Sequence, residues 1–123
     1  MPVLIVDASA LGALIFGEPQ AGEIAERLSE GIMVAPALIW FELASICLKK
    51  IKAHPKLEVQ LLQAFQLAGN LDIKIVEVDH SEVVQLARRS GLTTYDANYL
   101  WLARMLNGRL VTLDELLLKK AKK

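Results

Sequence analysis

Apolar residues along this chain fall into short unbroken runs separated by longer stretches of helical period. Residues 2–6, Pro-Val-Leu-Ile-Val, are a continuous run rich in β-branched side chains, the pattern of a strand buried on both faces. Residues 32–35, 73–78 and 109–112 read the same way. Between these runs the apolar positions recur every three or four residues, which predicts helices. Residues 8–16 form one, stopped by Gly17. Residues 21–29 form a second, with Ile24, Ala25 and Leu28 on one face and Gly31 beyond its end. Pro36 suits a first helical position, so a long helix is expected over 38–51. Pro55 opens another, whose Leu61, Leu62, Phe65 and Ala68 share a face before Gly69-Asn70 closes it. Helices over 81–90, 94–106 and 115–121 complete the series, with Gly91 and the Asn107-Gly108 turn as stops.

Short apolar strands alternating with helices imply a parallel sheet covered on both faces. The length suits one domain over 1–123, without internal repeat or linker. In such a sheet ligands bind beyond the C-terminal ends of the strands, where neighbouring crossovers diverge. Residues just past the first and last strands are therefore the first place to look for chemistry.

Composition adds a little. The hydrophobic share is 54%, above the usual range of about 45–50%, which excludes disorder and points to a subunit interface. The helices over 38–67 carry large apolar faces and are the expected partner surface. Fourteen acids balance fourteen bases, so the chain lacks the basic excess of a typical nucleic-acid binder. Its cations nevertheless cluster, at Lys49, Lys50 and Lys52, at Arg88 and Arg89, and in the tail from Lys119 to Lys123. A carboxylate-lined cleft would hide a positive rim in such a total. The lone Cys47, between Ile46 and Leu48, reads as a small buried apolar residue, in keeping with a reducing cytoplasm. Positions 1–16 lack a basic start and contain Asp7, and positions 32–48 are interrupted by Pro36 and Glu42. Neither is expected to be a signal or membrane segment.

The candidate chemistry lies in four acids set among apolar neighbours: Asp7, Glu42, Asp96 and Asp114. Asp7 and Asp114 each end a strand and begin a helix, where a carboxylate also serves as N-cap. Asp96 lies in the first turn of its helix, where the dipole favours an acid and Thr93 or Thr94 can cap. Glu42 has no such explanation. It is the only ionisable residue between Gly31 and Lys49, with Leu38, Ile39, Ser45 and Ile46 as same-face neighbours, so it needs a solvent strip, a partner or neutralisation. Carboxylates gathered in one cleft repel and resist desolvation unless protons or a cation compensate. Four of them describe a site for a hard divalent ion such as Mg²⁺ or Mn²⁺.

Rival readings are weaker. The chain has neither a P-loop nor a dinucleotide-binding glycine fingerprint, and Ser9 lacks a nucleophile-elbow context. A receiver-like phosphoacceptor domain would want acids adjacent to Asp7 and a lysine after the last strand, and this chain has neither. His54 and His80 flank turns without a partner at metal-ligand spacing. Trp40, Phe41, Tyr99 and Trp101 sit at helical core spacing and read as packing.

Taken in order, Val6-Asp7-Ala8-Ser9, Glu42-Leu-Ala, Thr94-Tyr95-Asp96-Ala97 with Tyr99-Leu100, and Leu110-Val-Thr-Leu-Asp114 resemble the PIN-domain family, and within it the VapC-type toxin ribonucleases. The resemblance covers nearly the whole chain. It implies a three-layer α/β/α sandwich with a central, mainly parallel sheet and an acidic pocket at the strand ends. Asp7, Glu42, Asp96 and Asp114 match the family's acidic quartet, and Ser9 and Thr112 fall where small hydroxyl residues support it. The implied activity is Mg²⁺- or Mn²⁺-dependent hydrolysis of RNA phosphodiester bonds in the cytoplasm, with a cognate antitoxin as partner and a homodimer as the usual assembly. Two alternatives stay open: an RNA-processing nuclease without an antitoxin, and a catalytically silent binding module.

Overall fold

The computed structural model describes residues 1–122. Its strands are β1 (Val3–Val6), β2 (Ile32–Ala35), β3 (Ile73–Ile75) and β4 (Arg109–Val111). They form one sheet in the order β3-β2-β1-β4, and every pairing is parallel. β1 lies inside, between β2 and β4, and the 0% exposure of Leu4, Ile5 and Val6 accounts for its unbroken apolar run.

Alternation along β1 divides the core in two. Leu4 and Val6 pack with α1 (Ala8–Ile15), α2 (Ala21–Leu28), α3 (Leu38–Ala53) and α4 (Glu58–Ala68) through Leu11, Ile24, Ile39, Leu43 and Ala68. Ile5 packs on the opposite face with α5 (His80–Ser90), α6 (Thr94–Met105) and α7 (Glu115–Ala121) through Val83, Leu86, Leu100, Leu102 and Leu117. The result is the α/β/α sandwich.

Strand order explains the layering. From β1 to β2 to β3 the chain steps in one direction and lays its helices on one face. It then returns past β1 to place β4, and a crossover that reverses direction keeps its handedness only by using the opposite face. The reversal leaves a crevice between the C-terminal ends of β1 and β4, the usual position of a binding site in an open parallel sheet. At this crevice Asp7 N donates to Val111 O at 3.2 Å, and Thr112 follows directly.

Two elements differ from expectation. The third strand stops at Ile75 rather than 78: its partner β2 ends opposite it at Ala35, before Pro36, and the chain then leaves the sheet to Asp79, which accepts from Glu82 N to cap α5. Pro55 opens a 3₁₀ turn, Pro55–Leu57, and α4 begins at Glu58. Packing also differs in places. Of the expected α4 face only Ala68 is buried, with Leu61 and Phe65 partly so and Leu62 exposed. Phe41, expected in the core, is 74% exposed.

Candidate functional site

All four sequence-nominated acids line one pocket. Its wall comprises Asp7, Ala8, Ser9, Glu42, Ser45, Ile46, Lys49, Asp96, Tyr99 and Asp114 around about 280 Å³. They arrive from distant parts of the chain: the β1–α1 junction, the middle of α3, the first turn of α6 and the β4–α7 junction. A larger groove of about 730 Å³ lies on the far side of α6, lined by residues such as Leu38, Val78, Val84 and Tyr95. It is mostly apolar and contains none of the four acids, so size alone would misplace the chemistry.

Asp7 is the anchor. It is 5% exposed and caps α1, with Oδ1 accepting from Ala10 N at 3.0 Å and from the Ser9 hydroxyl at 2.7 Å. Its Oδ2 accepts from the Thr112 hydroxyl at 2.5 Å. Thr112 is itself buried, and its Oγ1 accepts from Asp114 N at 2.9 Å. Ser9 Oγ accepts from Leu113 N at 3.0 Å. Ser9 and Thr112 therefore stitch the start of α1 to the chain leaving β4, with Asp7 between them. The capping role and the pocket-lining role of Asp7 coexist, because each oxygen can accept more than one hydrogen bond.

Asp114 likewise caps α7, accepting from Leu117 N at 3.0 Å. Asp96 N donates to the Thr93 cap at 3.1 Å, while its half-buried carboxylate receives no hydrogen bond among the described residues. Three helix N-termini thus face the pocket, and their dipoles offset part of the repulsion among the acids. Glu42 has a different partner. The Tyr99 hydroxyl donates to its Oε1 at 2.5 Å. The Glu42 side chain is only partly buried, at one end of a polar strip with the exposed Ser45 and Lys49, and no arginine pairs with it among the described residues. Tyr99 was expected only as packing. Its ring is indeed buried, at 1% exposure, but its hydroxyl belongs to the pocket. The available signal was its position three residues after Asp96, on the same face of the helix.

Electrostatics fit a cluster short of cations. Burial pushes the Asp7 carboxyl above its ordinary value despite three hydrogen bonds that pull the other way, and Asp114 adds to the rise. Glu42 is raised chiefly by burial, against the Tyr99 hydrogen bond, with Asp96 and Asp7 contributing repulsion. Asp96 is raised by burial and by the charges of Asp114 and Asp7. Tyr99 is pushed upward by its own burial and by Glu42. Protons or a cation would relieve the set.

The donors are all carboxylate oxygens, the chemistry of a hard cation rather than of zinc or copper. Among the described residues, no three His, Cys, Asp or Glu side chains are arranged to hold an ion by themselves. Mg²⁺ takes one or two carboxylates and keeps several waters, so acids spread around a pocket of this size fit an ion that brings its own hydration. The remaining nominated groups are elsewhere. His54 and His80 are exposed, and Cys47 is buried with its thiol toward Leu61 O. No helix among the described residues is long and apolar enough to cross a membrane.

Comparison with known proteins agrees with this fold. No curated protein matches the chain. Among solved structures, the crystal structure of PAE2754 from Pyrobaculum aerophilum superposes with a TM-score of 0.77 at 27% sequence identity, covering 97% of this chain and 86% of that one. The PIN-domain model matches residues 4–123. PIN domains are generally nucleases, and this chain belongs to the PIN-domain family.

Proposed function

We propose that the protein is a Mg²⁺- or Mn²⁺-dependent endoribonuclease of the VapC type, the toxin of a toxin–antitoxin pair. The observation that carries this reading is the meeting of Asp7, Glu42, Asp96 and Asp114 in one pocket, with Asp7 buried and no basic side chain in a salt bridge with any of the four among the described residues. A phosphodiester would be repelled by that set alone, and the raised carboxyls favour compensation by a divalent ion.

Asp7 and Asp96 are the residues that would hold the ion, with Asp114 and Glu42 completing the charge and orienting hydration. When bound, such an ion supplies Lewis acidity toward a phosphoryl oxygen and toward the attacking water. The chain's own groups do the rest. Ser9, Thr112 and Ala10 N fix the Asp7 carboxylate in one orientation, so its acceptor direction does not drift. Glu42, steadied at Oε1 by Tyr99, keeps Oε2 free to take a proton from the attacking water, and a carboxyl raised above its ordinary value is a stronger base for that step.

The test is cleavage of a labelled single-stranded RNA pool in Mg²⁺ or Mn²⁺, with and without chelator. Asp7→Asn and Asp96→Asn should each lower the rate at least about 10²-fold, the scale of losing a principal electrostatic group, and the melting temperature of Asp96→Asn, whose carboxylate accepts no hydrogen bond among the described residues, should hold or rise. A fully active Asp96→Asn protein would rule out its metal role. Calorimetric titration of the ion into wild type and Asp7→Asn separates a nuclease from a silent binding module. Capture by a short DNA-binding protein from the adjacent reading frame separates a toxin from an RNA-processing enzyme.

A further inference from the structure

The lysines of the 49–52 cluster diverge on α3. Lys50 pairs with Glu18, and its Nζ lies 5.7 Å above the Phe16 ring. Lys49, one residue earlier and so about 100° around the helix, lines the acid pocket. It forms no salt bridge among the described residues, although four carboxylates share that pocket. The other basic clusters lie elsewhere. Arg88 and Arg89 end α5, with Arg89 lining a separate cavity beside Trp101 and Arg104, and Lys119 and Lys120 lie in the last turn of α7. Among the described residues, Lys49 is the one cation in the pocket wall.

Spacing gives this lysine a direction. Glu42, Ser45 and Lys49 follow one another on a single face of α3, and Lys49 lies two turns, or about 10 Å, beyond Glu42 along the axis. A cation drawn in among the acids would neutralise them and compete with a metal. Held at the rim on a flexible stem, it can meet an anion that passes out of the pocket. A nucleic-acid strand whose scissile phosphate sits at the acids carries its next negative charges along such a path. We propose that Lys49 is a positioning residue that binds a non-scissile phosphate of the RNA strand, so that the strand leaves the pocket along α3 toward its C-terminal end. This rests on the RNA-cleaving reading above.

The experiment measures binding rather than turnover. A fluorescein-labelled, mixed-sequence single-stranded RNA is titrated in Mg²⁺ with the Glu42→Gln protein as parent, which keeps Asp7 and Asp96 for the ion and removes the base, and affinity is followed by anisotropy over a range of KCl concentrations. Adding Lys49→Ala should flatten the plot of log affinity against log salt by about 0.7, the counterion release of one contact on single-stranded nucleic acid. Affinity should fall by a similar factor for different sequences, as expected for a phosphate contact. Lys49→Arg should restore the slope. Lys50→Ala should leave it alone, and the Lys49 substitutions should not change the melting temperature. An unaltered slope in Lys49→Ala, or equal flattening by Lys50→Ala, overturns the proposal. So does a gain in Mg²⁺ affinity in Lys49→Ala with no change in slope, which would make the lysine a counter-ion for the acids. A parent that binds no RNA overturns the RNA-cleaving reading and this role with it, whereas RNA binding that ignores Lys49 overturns this role alone.

Discussion

Thr112 carries more than its size suggests. Its hydroxyl donates to Asp7 Oδ2 and its oxygen accepts from Asp114 N, so one buried atom serves two of the four acids. Thr112→Val keeps the shape and removes both bonds, and should destabilise the fold by roughly 1–3 kcal/mol, the cost of leaving buried polar groups unsatisfied. Thr112→Ser should stay close to wild type; chemical denaturation of the pair checks this. The acids also set a pH dependence. Asp7, Glu42 and Asp96 are all raised by burial, so the folded chain holds protons that the unfolded chain releases. Stability on this account rises as pH falls through the raised values, and stops rising near the ordinary 3.8 of aspartate and 4.5 of glutamate. The metal-free protein should therefore melt higher in acid buffer just above the ordinary carboxylate range than at neutral pH, with the difference smaller in Asp7→Asn. Melting curves in chelator that fall steadily with pH, alike in both proteins, would remove the buried acids as the cause.

Among the elements, two glycines answer to different constraints. Gly31 enters β2 beside the first strand, and a Cβ there would lie 2.2 Å from Pro2 O, the carbonyl that accepts from Ile32 N. Gly31→Ala must push the two strands apart at the start of their register, and a loss of about 2 kcal/mol or more is expected from overpacking. Gly22, inside α2, has nothing within 4 Å of an added Cβ. Gly22→Ala should stabilise by up to about 1 kcal/mol through helix propensity alone. Opposite shifts in urea midpoint would support this account, and equal shifts would contradict it. At this scale the sequence was a good guide. Helix starts and stops were readable because Pro, Gly and capping residues act locally, as Thr93 and the left-handed Gly91 (φ 75°) show. The third strand was overread by three residues, since Val76 and Val78 look like strand residues but the partner strand ends at Ala35, before Pro36, and the Asp79 cap follows close beyond.

For the whole molecule, apolar surface is the open account. Phe41 and Leu48 lie seven residues apart on α3 and are 74% and 52% exposed, while Val59 and Leu67 on α4 are 63% and 65% exposed. The excess of hydrophobic residues in the composition thus ends up partly on the α3–α4 pair, where a partner surface was expected. We propose that this pair forms a homodimer or antitoxin contact. Sedimentation at micromolar concentration should give a dimer, and Phe41→Glu with Leu48→Glu should convert it to a folded monomer. A wild-type monomer would reassign the surface to a different partner, and capture of the antitoxin blocked by the same substitutions would identify that partner.

The amino-acid sequence by itself determined the kind and order of the elements and the identity of the four acids. Those signals are local: period, caps, breakers, and carboxylates placed where apolar segments end. Only the tertiary structure decided which distant groups touch. Thr112 meets Asp7 across 105 residues, and Tyr99 meets Glu42 across 57. Both contacts exist because the chain doubles back to lay β4 against β1 and to bring the first turns of α6 to the pocket. The choice of Lys49 over Lys50 as the pocket's cation is of the same kind. Two neighbouring lysines are alike in sequence, and they differ only once the packing of α3 turns one toward the acids and the other toward Glu18 and Phe16.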